Sequence, residues 1–264
     1  MFELFDQRSR YESIRPQTKK KLNDFLNKLN NDSNYKILFR GTNFGYITEK
    51  RSFEEFELLK RVFIVGDKAK RFFDDELKEI FDNNFLESKF NSFKEIDTAT
   101  ILGRLSSDYL QRNAELRALI HFLNKEVEGY DKRADSLVST TFSLRTALEF
   151  ANEDYGINQG YIIVSFENQR HIFNTKDLKE IVGKPKSELI DEEKEFMINQ
   201  AIFPNKIIGI ITPEKNFIIN PWLVKKLESS EVISDFEIPV DQTLFDKFKK
   251  DLGYKNETYD TFRL

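Results

Sequence analysis

Apolar residues recur at two spacings along the chain, one typical of helices and one typical of strands. After Pro16, a favourable first-turn residue, Leu22, Phe25, Leu26 and Leu29 fall on one face of a predicted helix. Similar spacing predicts further helices around residues 53–64, 68–82, 116–123, 144–151 and 244–252. The first third of the chain is therefore predicted to be mostly helical.

Short apolar runs next to turn residues predict the strands. The first run, 35–39, ends at Arg40 and is followed by a turn at Gly41. The other predicted strands lie in the second half of the chain and cover residues 137–140, 160–166, 195–198 and 206–211. Helices and strands combined in this way predict an α+β fold.

The sequence predicts a single domain over residues 1–264. No linker rich in Pro, Gly or Ser divides it, and no internal repeat is visible. The predicted core spans about 35–212, with a helical lead, 1–34, before it and an extension, 213–264, after it. A chain of this length buries roughly 70–75% of its unfolded surface, and 26 phenylalanines and nine tyrosines are available for that core.

Composition narrows the chemistry that the chain can carry. It has no cysteine and two histidines, His121 and His171, so we expect neither a disulfide framework nor a zinc centre. The net charge of -4 argues against a large nonspecific surface for nucleic acid. The first residues lack the basic start and apolar stretch of a signal peptide, and no run reaches transmembrane length. A cytoplasmic protein without membrane contact is expected.

Three short motifs stand at the ends of predicted strands. They are, in chain order, Phe39-Arg40-Gly41-Thr42, Ser139-Thr140-Thr141 and Glu193-Lys194-Glu195. Each has an ordinary explanation: a surface arginine after a strand, hydroxyl residues that cap a helix, and an acidic cluster on a solvated face. The occurrence of all three in this order, each at a strand end, favours a functional site.

These residue types suit the cleavage of NAD. Breaking the bond between nicotinamide and ribose develops positive charge at the anomeric carbon, which a nearby carboxylate stabilises. Glu195 is the candidate, and Glu193 projects from the same face of a strand, where one carboxylate can hold the ribose while the other receives the attacking nucleophile. The guanidinium of Arg40 can donate two parallel hydrogen bonds to phosphate or ribose oxygens. The Ser139 hydroxyl can orient Glu195 or the ribose.

The order of the motifs resembles the arginine-serine-glutamate class of ADP-ribosyltransferases, which includes many bacterial toxins. The resemblance covers about residues 35–212 and implies a split β-sandwich core with helical additions in the N-terminal half and at the C-terminus. Two departures stand out. Thr141 occupies a position where serine is usual, and neither the long helical stretch between Arg40 and Ser139 nor the tail after Ile211 matches the class.

The resemblance also implies roles for individual residues. NAD would be the co-substrate, with no metal. Glu195 would be catalytic and Glu193 would activate the acceptor, while residues 183–192 would form a mobile loop that recognises the target. The residues implied to bind NAD or brace its site are Arg40, Gly41, Thr42, Ser139, Thr140, Thr141 and Phe150. The aromatic side chain that stacks on nicotinamide stays open among Phe142, Phe150 and Tyr155.

The resulting hypothesis is a mono-ADP-ribosyltransferase acting on a macromolecule. A glutamate at position 193 resembles members that modify arginine side chains, so protein is the first choice of acceptor and a nucleic-acid base the second. A toxin or defence effector, of the toxin-antitoxin or phage-defence kind, with an antitoxin or inhibitor protein as partner, fits this hypothesis. The alternatives are an NAD glycohydrolase and a non-catalytic interaction module.

Overall fold

The structure is a computed structural model, and it describes residues 10–43, 55–68, 98–105, 107, 112, 115–116, 119, 137–153, 160–174, 195–199, 201–229 and 235–251. Six helices are described: α1 Pro16–Asn31, α2 Glu55–Val65, α3 Thr98–Arg104, α4 Leu144–Glu153, α5 Pro221–Ser229 and α6 Gln242–Asp251. The described strands are β1 Tyr35–Asn43, β2 Leu137–Thr140, β3 Gly160–Asn168, β4 Ile172–Asn174, β5 Phe196–Asn199, β6 Ile207–Ile211 and β7 Phe217–Ile219. Two short 3-10 turns cover Gln169–His171 and Pro204–Lys206.

The described strands form two antiparallel sheets. One sheet has four strands in the order β1-β3-β6-β7, and the other has three in the order β2-β5-β4. Arg40 on β1 lies opposite Ile163 on β3, and Ser139 on β2 lies opposite Met197 on β5. Helices combined with antiparallel sheets confirm the predicted α+β class. Arg40 and Ser139 therefore lie on strands of different sheets.

The central strand β3 shows why the strand prediction succeeded in the second half of the chain. Residues 161–167 are all buried, although β-strand side chains alternate between two faces. A strand that is covered on both faces carries a continuous apolar run, and the sequence of β3 has one. The four-stranded sheet therefore lies inside the core, with β1 and β6 paired on either side of β3.

Helix α1 begins as the sequence predicts. Pro16 occupies its first turn, where a missing backbone N–H costs nothing, and its buried face includes Leu22, Phe25 and Leu29. The ring of Phe25 meets the ring of Phe166 on β3 edge to face, with the ring centroids 6.2 Å apart. Helix α1 therefore covers the end of the four-stranded sheet that lies away from Arg40.

Helix α4 lies directly on strands β1 and β3 at two glycines. A Cβ atom at Gly41 would stand 2.0 Å from the carbonyl oxygen of Ala147, and one at Gly160 would stand 2.3 Å from that of Ala151. Both distances are far shorter than any permitted contact, so only glycine allows the helix backbone to approach so closely. This approach places the helix that follows the hydroxyl motif against the strand that carries Arg40.

The chain after Ile211 contributes more regular structure than the sequence pattern indicates. Strand β7 extends the four-stranded sheet, and α5 follows it at Asn220, a fully buried residue. The Asn220 amide donates to the carbonyl oxygens of Pro204, at 3.2 Å, and Ile207, at 2.8 Å. Its own oxygen accepts from the backbone N–H of Trp222 at 3.0 Å. Neither β7 nor α5 was predicted, whereas the last predicted helix is confirmed as α6.

Two predicted helices fall largely outside the residues that the structure describes. Of the helix predicted at 68–82, Lys68 is described, and of the one predicted at 116–123, Leu116 and Leu119 are described. No helix in the described part of the chain combines the length and the apolar character needed to cross a membrane.

Candidate active site

The two sheets meet where the first two motifs lie. Phe39 on β1 and Thr141, the residue after β2, exchange two backbone hydrogen bonds: each N–H donates to the other's carbonyl oxygen at 2.8 Å. Such a reciprocal pair is one rung of an antiparallel ladder. The rung joins the sheets beside Arg40 and brings the arginine motif next to the hydroxyl motif.

Arg40 lies between the hydroxyl strand and a carboxylate that sequence reasoning did not identify. Its Nε donates to Oδ2 of Asp67 at 2.6 Å, and its Nη1 donates to the backbone carbonyl oxygen of Ser139 at 3.1 Å. The Arg40 side chain is 12% exposed and that of Asp67 is 6% exposed. The guanidinium is therefore held by two partners in a largely buried position and is not an ordinary surface group.

Glu195 lies next to the hydroxyl motif on the neighbouring strand. Ser139 pairs with Met197 and Thr140 pairs with Phe196. Continuing this register by one residue places Glu195 opposite Thr141, on the same face of the strand pair as Ser139. Glu195 is 4% exposed. The structure therefore brings Arg40, the hydroxyl motif and Glu195 to one place, at the junction of the two sheets.

The hydroxyl groups of the second motif have different local roles. The Thr140 hydroxyl donates to the Phe196 carbonyl oxygen at 2.7 Å, while the Thr141 hydroxyl accepts from the backbone N–H of Ser143 at 3.1 Å. The Ser143 hydroxyl in turn accepts from the N–H of Thr146 at 3.2 Å, as in a helix cap. Thr140 thus braces the strand after Glu195, and Thr141 helps to start α4.

The Ser139 hydroxyl differs from its two neighbours. Within the described part of the chain it makes no hydrogen bond, and Ser139 is half-buried, whereas Thr140 and Thr141 are buried. It lies on the same face of the strand pair as Glu195 by register. Its hydrogen-bonding capacity is therefore not used by the described residues.

The other two residues of the arginine motif are enclosed. Gly41 is covered by the backbone of α4. This packing alone explains why the position needs glycine, and no contact with a ligand has to be invoked. Thr42 is buried, and its hydroxyl has no hydrogen-bond partner among the described residues. Their predicted part in binding NAD stays a prediction.

Two of the three aromatic candidates for stacking on nicotinamide are described. The Phe142 ring packs against the Phe196 ring with centroids 3.8 Å apart, and Phe142 keeps 41% of its surface exposed. Phe150 lies on α4 and is also 41% exposed. The third candidate, Tyr155, lies outside the described residues, as do Glu193 and the predicted recognition loop, 183–192.

Asp67 belongs to a tightly constrained bend after α2. Gly66, with φ +91°, and Lys68, with φ +56°, both adopt left-handed backbone conformations on either side of it. Asp67 and Ile202 exchange two backbone hydrogen bonds, at 3.0 and 3.1 Å. A glycine after an apolar helix predicts a helix end, but no sequence pattern indicates that the next residue pairs with Arg40.

This arrangement can hold an anion next to a carboxylate. The Arg40 guanidinium can bind a phosphate group, and Glu195 can stabilise positive charge on a neighbouring carbon. Among the residues that the structure describes, no three His, Asp or Glu side chains are grouped so that they could hold a metal ion.

Comparisons with known proteins do not identify a family for this chain. No protein-family model matches the chain, and no curated protein matches it with significant similarity.

Proposed function

We propose that the chain is a mono-ADP-ribosyltransferase, which transfers ADP-ribose from NAD to a macromolecule and releases nicotinamide. The observation that carries the proposal is that Arg40, the hydroxyl motif and Glu195, which are far apart in sequence, lie together. Arg40 donates to the Ser139 carbonyl across 99 positions, and Thr140 donates to the Phe196 carbonyl, next to Glu195, across 56 positions. The three residue types that the proposed chemistry needs therefore lie close together.

The fold supports the proposal as well. The resemblance implies a split β-sandwich core, and two antiparallel sheets of four and three strands are compatible with one. The positions of the motif residues are consistent with this core, because Arg40 contacts the hydroxyl strand and Glu195 immediately precedes its partner strand β5.

In the proposed reaction each group acts on a separate part of NAD. Arg40 binds the pyrophosphate, and the Ser139 hydroxyl orients the ribose or Glu195. As the bond between nicotinamide and the ribose breaks, its electron pair leaves with nicotinamide, and Glu195 stabilises the positive charge on the anomeric carbon. The acceptor then forms a bond to that carbon and gives its proton to Glu193, whose role follows from the resemblance.

Protein is the first choice of acceptor, with an arginine side chain as the modified group. This choice rests on Glu193, because a glutamate at that position resembles the members that modify arginine. We place the reaction in the cytoplasm and propose that the enzyme acts as a toxin or defence effector with an inhibitor protein as its partner. Expression of the wild-type chain should then arrest growth of the host, whereas Glu195→Ala should not.

The first experiment incubates the purified protein with a cell lysate and NAD labelled in its adenylate half, beside Glu195→Ala. Label in protease-sensitive material would support a protein acceptor, and label in RNase- or DNase-sensitive material would identify a nucleic-acid base instead. Release of nicotinamide without transfer of label would indicate an NAD glycohydrolase. Neither release nor transfer by the wild type would contradict the enzymatic proposal and favour an interaction module.

A further inference from the structure

We infer that Asp67 is a positioning residue of this site, which orients the Arg40 guanidinium so that its Nη2 is left to bind the pyrophosphate of NAD. The inference rests on the proposed function. It concerns the long stretch between Arg40 and Ser139, which has no counterpart in the resemblance described above. A residue from that stretch makes the 2.6 Å contact with Arg40.

The guanidinium is anchored at two of its three nitrogens. It is planar and carries five N–H donors in a fixed arrangement. Nε donates to Asp67, and Nη1 donates to the Ser139 carbonyl oxygen. These two contacts fix the orientation of the guanidinium plane. Within the described part of the chain Nη2 makes no hydrogen bond. Its two N–H groups point in different directions, so they can be offered to separate oxygens of the pyrophosphate without breaking either existing contact.

Asp67 is itself held by the strands that carry the site. Its backbone is paired with Ile202, which lies just beyond β5, and the neighbouring Lys68 donates to the Leu137 carbonyl oxygen at the start of β2, at 3.2 Å. The bend 66–68 thus contacts β1 through Arg40, β2 through Leu137, and the segment after β5 through Ile202. A carboxylate held in this way is a fixed reference point for the guanidinium.

The contacts favour positioning over competition with NAD. A carboxylate that blocked the anion site completely would be expected to take two neighbouring guanidinium nitrogens through both of its oxygens, as a phosphate does when it binds with two parallel hydrogen bonds. Asp67 instead binds Nε through a single oxygen, and it is 5% exposed.

Three substitutions of Asp67 distinguish the effect of where its carboxylate oxygen lies from the effect of its negative charge. Asn keeps an oxygen that can accept from Nε but removes the charge, Glu keeps the charge but moves it by one methylene, and Ala removes both. The kinetics of nicotinamide release give KM for NAD and kcat, and thermal unfolding reports stability. Glu167→Gln is the matched control, because Glu167 is another buried carboxylate, paired opposite Lys36 at the far end of β1.

We expect Asp67→Ala and Asp67→Glu to raise KM for NAD by about tenfold or more, with a smaller change in kcat, since the loss of one charge-assisted contact has that scale. Asp67→Asn should stay within about threefold of the wild type, because the accepting oxygen remains. Glu167→Gln should lower the unfolding temperature without changing KM. If Asp67→Ala does not fold, the comparison of Asn with Glu carries the test.

Several outcomes would overturn the inference. A lower KM in any Asp67 variant would show that Asp67 competes with NAD, and a KM unchanged in both Ala and Glu would show that it has no part in binding. A larger rise in KM for Asp67→Asn than for Asp67→Glu would show that the charge of residue 67 matters and not the position of its oxygen. A wild-type protein that neither binds nor cleaves NAD would overturn the proposed function together with this inference, whereas an active wild type with unaffected variants would overturn the inference alone.

Discussion

The hydroxyl of Thr140 donates a hydrogen bond to the backbone carbonyl oxygen of Phe196, 2.7 Å away, although the two residues already face each other in the strand pair. This contact is additional to the ladder between β2 and β5. It fixes the backbone of the residue that follows Glu195, so the position of the proposed catalytic carboxylate depends on a side chain of the hydroxyl motif.

Replacement of Thr140 by valine tests this dependence. The substitution keeps the shape and removes the donor, which leaves the Phe196 carbonyl short of one partner. We expect the free energy of unfolding to fall by about 1–2 kcal/mol and NAD turnover to fall as well. Chemical denaturation and nicotinamide release measure the two effects.

Thr212→Val provides the matched control for that substitution. Thr212 is also buried, but its hydroxyl has no hydrogen-bond partner among the described residues. Its replacement should be neutral or slightly stabilising, because no hydrogen bond is lost and an unsatisfied polar atom is removed. Equal losses of stability in the two variants would contradict the role assigned to the Thr140 hydroxyl.

Glu195→Ala should separate catalysis from binding. If Glu195 stabilises the transition state as proposed, its loss should lower kcat by about 10² to 10³ or more, while the Kd for NAD changes little. Titration calorimetry gives the Kd, and nicotinamide release gives kcat. Glu214→Ala, at an exposed position in the turn before β7, should leave both values unchanged. A loss of NAD affinity as large as the loss of turnover would argue against this role for Glu195.

Arg40→Lys should weaken NAD binding although the positive charge is kept. A lysine has a single ammonium group, so it cannot contact Asp67 and Ser139 from separate nitrogens of a rigid plane and still offer a third to phosphate. We expect the Kd for NAD to rise by about tenfold or more, on the scale of one charge-assisted contact. Arg170→Lys, at an exposed arginine on the turn after β3, is the control. An unchanged Kd in Arg40→Lys would show that charge alone suffices.

Gly41→Ala should destabilise the chain because α4 leaves no room for a Cβ atom. The contact with the Ala147 carbonyl oxygen would be 2.0 Å, and only a shift of the helix or strand backbone can relieve it. We expect a loss of about 1–3 kcal/mol in the free energy of unfolding, measured by denaturant titration.

Gly103→Ala is the opposite case and the control for Gly41→Ala. Gly103 is an exposed residue of α3, and a Cβ atom there would meet nothing within 4 Å. Alanine in a helix is more favourable than glycine by about 0.5–1 kcal/mol, so a small gain in stability is expected. A comparable loss in both variants would indicate that the fit of α4 against β1 does not explain the effect at Gly41.

The sequence predicted elements where burial leaves a repeated pattern. Strand β3 is buried on both faces and α1 on one, so each produces a run or a spacing long enough to recognise. Strands β4 and β7 have three residues each, which is too short for alternation to appear. Helix α5 follows a buried asparagine, Asn220, whose hydrogen bonds reach the turn before β6 and β6 itself, and no local pattern indicates such contacts.

The proximity of the residues in the proposed site was predictable to a similar extent. Arg40, Ser139 and Glu195 lie at predicted strand ends in a meaningful order, and the structure places them together. Asp67 could not be found in that way, because it is one of 45 acidic residues and its partner lies 27 positions earlier. Side-chain pairing between distant segments depends on how the elements pack, and a single sequence carries no direct signal of it.

The hydrogen bond from Trp222 Nε1 to the Phe63 carbonyl oxygen, at 3.2 Å, links α5 to the helix that precedes Asp67 across 159 positions. At a synthesis rate of roughly 5–20 residues per second, roughly 8–30 s separate the appearance of these two residues on the ribosome. During that interval the nascent chain already contains Arg40 and Asp67, but it lacks the helix that anchors α2. For the proposed NAD-cleaving enzyme, the order of synthesis therefore delays a complete site until most of the chain has been made.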